Sequence, residues 1–191
     1  MSTRQASTRE RIVDAGVALT TEVGWSGVTM ARLAEVVGVS RQTVYNEVGT
    51  KAGLAEAMIL AELERFMGVV DAAFDRHSGD LVAAIRASAH DVLVHASDNP
   101  LLHAVVSATH GADTELLPLL TTHAQSLLET AKQVIAARVA PYQLSLAPAQ
   151  VEAMIDMVVR VVLSHVMAPS AAPDDTAESV SFVAAKVLDL D

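Results

Sequence analysis

The chain has 191 residues, of which 51% are hydrophobic and none is cysteine, and its formal net charge is −10. Without cysteine, disulfides, thiolate catalysis and cysteine-ligated metal sites are excluded. The sequence contains neither the apolar core of a signal peptide nor an uncharged apolar run of about 18 residues, so we expect a cytoplasmic protein with no membrane partner.

The negative charge is unevenly distributed along the chain. Residues 1–51 hold six Lys/Arg and five Asp/Glu, a net charge of +1. Residues 52–191 hold seven Lys/Arg and eighteen Asp/Glu, a net charge of −11. We name these two predicted domains the head and the body. Their charges would orient the head toward a polyanion and the body away from it, so the overall charge does not exclude DNA as a partner.

Three helices are predicted in the head. The first begins at a capping box, Ser7 to Glu10, and ends at Gly24. The second covers about residues 30–37, because four apolar residues recur there at helical spacing after the N-cap Thr29. Gly38 and the N-cap Ser40 then introduce a third helix over residues 41–48. This order of helix, glycine turn, cap and helix is typical of a DNA-binding helix-turn-helix, although a plain helical hairpin in an all-α core has the same spacing.

The third helix is polar at its leading end, which in such a motif enters the major groove. Arg41 or Gln42 would read base edges there, and hydroxyl, phenol and ammonium groups nearby would hold phosphates. The predicted DNA-binding residues are Thr29, Ser40, Arg41, Gln42, Thr43, Tyr45, Asn46 and Lys51.

The remainder of the chain is predicted to be helical. We expect a long helix from Lys51 to about His77 that begins in the head and continues into the body. Turn residues then separate five further helices, over residues 81–96, 100–109, 114–139, 149–168 and 174–188. The predicted fold class is therefore all-α, with a three-helix head (1–51) joined to a six-helix body (52–191).

Over about residues 8 to 55 the chain resembles the TetR family of transcriptional regulators. The resemblance is carried by Arg11-Ile12 with Ala15, Gly24-Trp25, Val28-Thr29, Leu33-Ala34, Gly38-Val39-Ser40, Val44-Tyr45, and Lys51 with Leu54. It implies a DNA-binding regulator, usually a repressor, with phosphate contacts from Tyr45 and Lys51.

The chain departs from the family's pattern at two positions. Where the family often has His and Phe after the tyrosine, this chain has Glu47 and Val48. Glu47 would repel phosphate unless it faces away from DNA or accepts a hydrogen bond from cytosine N4.

The last two predicted helices are strongly apolar. A helix that is apolar on most sides must be buried, either within the chain or against a second copy. The resemblance implies dimerisation through these helices, and a symmetric dimer predicts a near-palindromic operator. The predicted interface residues are Met157, Val161, Val162, Phe182, Val183 and Val187.

By resemblance, the body would hold a small-molecule pocket. Aromatic residues make up only 3% of the chain, so a long aliphatic effector such as a fatty acid or related lipid is favoured over a flat aromatic one, although an ordinary Ala/Leu/Val core has the same composition. The predicted ligand-binding residues are Phe66, Val70, His103, Val106, Leu120, His123, Met154 and Val158.

The sequence holds no pattern that indicates catalysis. It has no G-x-S-x-G segment, no phosphate-binding glycine loop and no chelating histidine spacing, so we expect no enzyme, metal or cofactor. Two alternatives to a DNA-binding regulator stay open. One is a helical interaction protein without sequence-specific DNA binding, and the other is a histidine-based enzyme assembled only by the tertiary fold.

Overall fold

The computed structural model describes residues 6–103 and 117–189, except for the side chains of residues 117–124. Within these ranges every regular element is helical, which confirms the predicted fold class. Residues 100–103 are also helical, and the rest of the short helix predicted to follow Pro100 lies outside the described residues. The α-helices are α1 (Thr8–Val23), α2 (Met30–Val37), α3 (Arg41–Val48), α4 (Lys51–Arg76), α5 (Leu81–Ser97), α6 (Leu117–Val139), α7 (Pro148–Met167) and α8 (Pro173–Leu188), and a 3₁₀ turn covers Trp25–Gly27.

The chain forms two compact units. The first unit comprises Met1–Glu62 and Pro100–Ala124, and the second unit comprises Leu63–Asn99 and Gln125–Asp191. Helix α4 therefore contributes its first three turns to the first unit and the rest of its length to the second. The domain boundary expected after residue 51 stays a prediction.

The core of the first unit is built by α1, α2, α3 and the start of α4. Trp25 is buried in this core. Leu54 and Met58 of α4 press against Gly16 of α1, where an added Cβ would lie 3.0 Å from the Met58 sulfur. Because no larger residue fits there without displacing a neighbour, α1 and α4 pack closely. The fully buried side chains of this core include Ile12, Val28, Leu33, Val44, Leu54 and Met58.

The second unit is organised around α5, which packs along α8. Apolar residues of α4, α5, α6, α7 and α8 form one cluster. No helix of the described residues is long and apolar enough to cross a membrane. The most buried members of this apolar cluster are Val70, Phe74, Leu81, Ala84, Ala89, Val139, Ile155, Ala177, Ala184 and Leu188.

Ion pairs join helices at the surface of the second unit. Arg138 of α6 lies 2.6 Å from a carboxylate oxygen of Asp71 and 2.8 Å from one of Asp75, both on α4. Asp156 of α7 accepts hydrogen bonds from Lys132 of α6 at 3.1 Å and from Arg160 at 2.7 Å. The bonds from Arg160 and Lys132 hold the pKa of Asp156 below its ordinary value of 3.8.

Candidate nucleic-acid interface

The turn between α2 and α3 is fixed by main-chain hydrogen bonds. Gly38 has φ of 73° and ψ of 40°, a left-handed conformation that glycine adopts at little cost. Its N–H donates to the carbonyl of Glu35 at 3.3 Å, and the N–H of Val39 donates to the carbonyl of Ala34 at 3.0 Å. This is the Schellman arrangement, which closes α2 and turns the chain directly into α3.

Hydroxyl groups cap both helices of the motif, as predicted. The Thr29 Oγ1 accepts a hydrogen bond from the Arg32 main-chain N–H at 3.2 Å, at the start of α2. The Ser40 Oγ accepts from the Thr43 N–H at 3.0 Å and lies 2.8 Å from the Thr43 Oγ1. Contact of these hydroxyls with phosphate stays a prediction.

One side of α3 is packed and the other is exposed and polar. Val44 and Val48 are buried in the core of the first unit. On the opposite side the Gln42 side-chain amide donates to the Asn46 Oδ1 at 2.9 Å, one helical turn away. The structure thus brings four predicted DNA-binding residues onto a single exposed surface, which we call the reading face: Arg41, Gln42, Tyr45 and Asn46.

Lys51, the last predicted DNA-binding residue, begins α4. Its Nζ lies 4.9 Å from the centroid of the Trp25 ring, a cation–π distance. The side chain is half-buried rather than extended into solvent. The ring therefore restricts the positions that this ammonium group can take.

The turn from α3 to α4 depends on a residue that sequence reasoning missed. The N–H of Gly53 donates to the Thr50 Oγ1 at 3.0 Å, so Thr50 caps α4. A Cβ at position 53 would lie 2.3 Å from the main-chain oxygen of Val48, which leaves room only for glycine. The cap has a local signature, a threonine before an apolar helix, whereas the close approach to Val48 has none.

Two arginines of α1 make contacts that the sequence analysis did not predict. The Arg9 guanidinium donates to the main-chain carbonyl of Glu47 near the end of α3, and Arg11 donates to the carbonyl of Val37 at the end of α2, at 2.5 Å. The last carbonyls of a helix lack partners within the helix and carry partial negative charge. These bonds therefore tie both helices of the motif to α1. They join residues 38 and 26 positions apart, so no local pattern announces them.

The predicted ligand-binding residues divide into three groups. Phe66, Val70, Met154 and Val158 belong to the apolar cluster of the second unit. His103 is exposed and belongs to the first unit. The remaining three, Val106, Leu120 and His123, lie outside the described side chains.

A histidine that was not singled out lies beside this cluster. The rings of Phe66 and His95 meet edge to face, with their centroids 4.8 Å apart. His95 is half-buried on α5. Sequence spacing does not reveal this pairing, because it joins two helices 29 positions apart in the chain. The part of the chain that the structure describes contains no group of three or more His, Asp or Glu that would hold a metal ion.

Most of the predicted interface residues are exposed on α7 and α8. Met157 is 64% exposed and Phe182 is 62% exposed, values far above those of core residues. Val162 differs, because it is half-buried against the cluster of the second unit. The other exposed apolar residues of these two helices are Val161, Leu163, Met167, Val183 and Val187.

Two family models match the chain. One, described as bacterial regulatory proteins of the tetR family, matches residues 12–58. The other, described as the C-terminal domain of the bacterial tetracycline repressor, matches residues 80–186 and so more than half of the chain.

Individual proteins are similar to the chain over nearly its whole length. The HTH-type transcriptional regulator AlkX of Mycobacterium tuberculosis is 27% identical over 177 residues, which cover 93% of this chain and 83% of that protein. The crystal structure of the TetR family repressor AlkX of Dietzia sp., implicated in the biodegradation of n-alkanes, has a TM-score of 0.76. It is 31% identical and covers 94% of this chain and 96% of its own. The TetR family regulator PfmR of Thermus thermophilus, 16% identical with a TM-score of 0.52, covers 98% of each chain and shares the fold.

Proposed function

Because this chain belongs to the TetR family of bacterial transcriptional regulators, we propose that it represses transcription by binding a near-palindromic operator as a homodimer, and that a long aliphatic effector releases it. Members of this family bind operator DNA, bind ligands through the C-terminal domain and dimerise. They are regulators and not enzymes, which removes the histidine-based hydrolase as an alternative. We place the protein in the cytoplasm, with the bacterial chromosome.

The reading face is the observation that carries the DNA-binding part of this proposal. Val44 and Val48 anchor α3, while the exposed side presents amide, guanidinium and phenol groups, the types that read base edges and hold phosphates. The Schellman turn at Gly38 and the bonds from Arg9 and Arg11 keep α3 in one position relative to α1 and α2. A rigid support of this kind is what recognition of a specific sequence requires.

Repression and the effector class are proposed from two independent lines of support. The Dietzia relative is a repressor implicated in n-alkane biodegradation, and the Mycobacterium relative bears the same name. The body of this chain is rich in Leu, Val, Ala and Met and poor in aromatic rings, which suits a flexible aliphatic molecule. A fatty acid or another long-chain product of alkane oxidation agrees with both the relatives' role and the composition of the body.

We place the effector's aliphatic chain beside Phe66, Val70, Met154 and Val158, which share one apolar cluster. His95 packs against Phe66 and would hydrogen-bond a carboxylate head group. His95 therefore joins His103 as a histidine to test, because it adjoins that cluster. The effector would release DNA by binding better to a state in which the two recognition helices are separated differently.

The dimer is proposed through α7 and α8. Both helices expose several large apolar residues, and exposed apolar surface of this kind favours a protein–protein interface. Met157 and Val161 lie one turn apart on α7, as Val183 and Val187 do on α8. A two-fold axis through this surface would pair the two recognition helices with successive major grooves.

Fluorescence anisotropy of the protein on DNA upstream of its own gene, titrated with C12–C18 fatty acids at fixed salt, tests the whole proposal. A duplex of scrambled sequence is the control. Specific binding reversed by the acid, but not by the corresponding short-chain acid, is the expected result. If the protein binds the upstream DNA no better than the scrambled duplex, and selection from random duplexes yields no preferred sequence, the chain is a helical interaction protein and the proposal is wrong. Specific binding that no aliphatic molecule reverses would refute only the effector.

A further inference from the structure

On the reading face, the side-chain amide of Gln42 is already engaged within the protein. Its Nε2 donates one hydrogen bond to the Asn46 Oδ1 at 2.9 Å. We propose that Asn46 is a positioning residue that holds Gln42 in the orientation that selects an adenine in each half-site of the operator. This inference rests on the proposed DNA-binding function and names the base that one residue reads.

The argument begins with the hydrogen-bonding groups that Gln42 retains. A glutamine amide has two N–H donors and one carbonyl oxygen. The bond to Asn46 uses one donor, so one N–H and the oxygen remain available to DNA. When the bond to Asn46 uses the N–H that points away from the oxygen, the other N–H and the oxygen lie side by side in the plane of the amide, as a donor and an acceptor.

Adenine offers the complementary pair in the major groove. Its N7 accepts a hydrogen bond and its N6 amino group donates one, which is the pairing that Asn and Gln make when they read adenine. Guanine offers two acceptors, N7 and O6. A free glutamine can turn so that its NH2 group alone faces N7 and O6 of guanine, whereas a glutamine held by Asn46 keeps its oxygen beside the remaining N–H and would direct that oxygen at O6. The bond to Asn46 therefore raises the preference for adenine over guanine.

The geometry of α3 brings the two side chains together. Gln42 and Asn46 are four residues apart, the spacing at which side chains on a helix meet, and both are exposed on the same side. Because Val44 and Val48 are buried in the core, the side of α3 that carries Gln42 and Asn46 faces solvent. An amide that is oriented before DNA binds loses less conformational freedom on binding. A base that needs the opposite amide orientation binds only after the bond to Asn46 breaks, which lowers the affinity for that base.

The test uses the full-length protein and an operator obtained by selection from random duplexes. Each half-site position is changed in turn to all four base pairs, and affinities are measured at fixed salt for the wild type, Gln42→Ala, Asn46→Ala and Asn46→Asp. The base that Gln42 reads is at the position where the wild type discriminates and Gln42→Ala does not. There the wild type should prefer adenine to guanine by about 5- to 150-fold, the range of a good bidentate pair.

The Asn46 variants separate positioning from general weakening. Asn46→Ala should reduce the adenine-to-guanine ratio at that position about twofold, the amount that a Gln–Asn pair at this spacing contributes, whereas a general weakening would lower the affinity for both bases equally. Asn46→Asp keeps an acceptor for Gln42, so it should retain the ratio even though its charge weakens binding to every sequence. Circular dichroism confirms that the variants fold.

Two results would overturn the inference while the proposed function stands: a guanine at the Gln42 position, or a ratio that Asn46→Ala does not change. A wild-type protein that binds no duplex selectively would refute the proposed function itself, and this inference with it.

Discussion

The side-chain nitrogen of Lys51 lies 4.9 Å from the centroid of the Trp25 ring, so the cation that begins α4 is held by the buried aromatic residue that precedes α2. An exposed lysine must lose much of its side-chain freedom when it contacts a phosphate. The Trp25 ring removes part of that freedom in advance. This arrangement would let a single cation set where the predicted phosphate contact at the start of α4 forms.

We expect Lys51→Ala to weaken binding to operator and scrambled DNA by similar factors, because a phosphate contact carries no sequence information. The slope of log affinity against log salt should become shallower by about one unit for each phosphate that the variant no longer neutralises. Anisotropy titrations at several salt concentrations measure both effects.

Arg41→Ala is the matched comparison for Lys51→Ala, since it removes one cation from the reading face. It should relax specificity at particular bases, by about 1–3 kcal/mol, and should affect scrambled DNA less. Equal reductions in affinity on every sequence for both variants would show that Arg41 holds phosphate and reads no base.

Gly53→Ala should destabilise the protein by about 1–3 kcal/mol, the usual range for an over-packed site, because the new methyl group would lie 2.3 Å from the Val48 main-chain oxygen. Main-chain atoms cannot rotate away as a flexible side chain can. Gly68→Ala is the control on the same helix, where no atom lies within 4 Å of the added Cβ. It should stabilise the protein by roughly 0.5–1 kcal/mol through better helix propensity. Urea unfolding of the two variants decides whether the close approach or the loss of glycine itself matters.

Phe182→Glu should shift the protein toward monomer and abolish tight operator binding. Phe182 is 62% exposed on α8, so the charge costs the isolated chain little, whereas at a two-fold interface it would be buried near its symmetry mate. Sedimentation velocity over a range of concentrations measures the effect. Val94→Glu, at a 39% exposed position on α5, is the control and should remain dimeric. Two variants with the same sedimentation behaviour would place the interface elsewhere.

Asp156→Asn should make stability less dependent on pH in acid. The bonds from Arg160 and Lys132 lower the pKa of Asp156 below 3.8, so the folded state favours the ionised form. Such a group contributes stability that is fully present above its unfolded pKa and is lost as the pH falls through its folded value. Urea unfolding between pH 6 and about pH 2 should therefore show a smaller loss of stability for the variant than for the wild type, with the two converging at the acid end. Parallel curves would mean that the ion pairs do not couple protonation to folding.

Local chemistry made much of this fold predictable. The caps Ser7, Thr29 and Ser40 and the turn at Gly38 act within a few residues, so their sequence positions identify them, and each makes the predicted contact. Contacts between distant residues were not predictable in the same way. The bond from Arg9 to the carbonyl of Glu47 has no sequence signature, because any long donor in reach of a helix end can make it.

In the candidate sites, too, local patterns were predictable from the sequence and contacts between side chains were not. Helical periodicity indicated which residues of α3 face outward, but not that Gln42 would bond to Asn46. Composition indicated an aliphatic body, but not that His95 would pack against Phe66, since that contact depends on how α4 and α5 are aligned. Periodicity identifies the face of a helix, and only the tertiary structure identifies its partner.

The bonds from Arg9 and Arg11 to main-chain carbonyls have a consequence for how the protein searches a genome. Two of the six cations in residues 1–51 direct their N–H groups at the protein itself, which leaves few to neutralise phosphates. Non-specific affinity for DNA rises with the number of phosphates neutralised. We therefore expect random chromosomal sequence to be a weak competitor, so that occupancy of an operator depends more on base contacts than on phosphate charge.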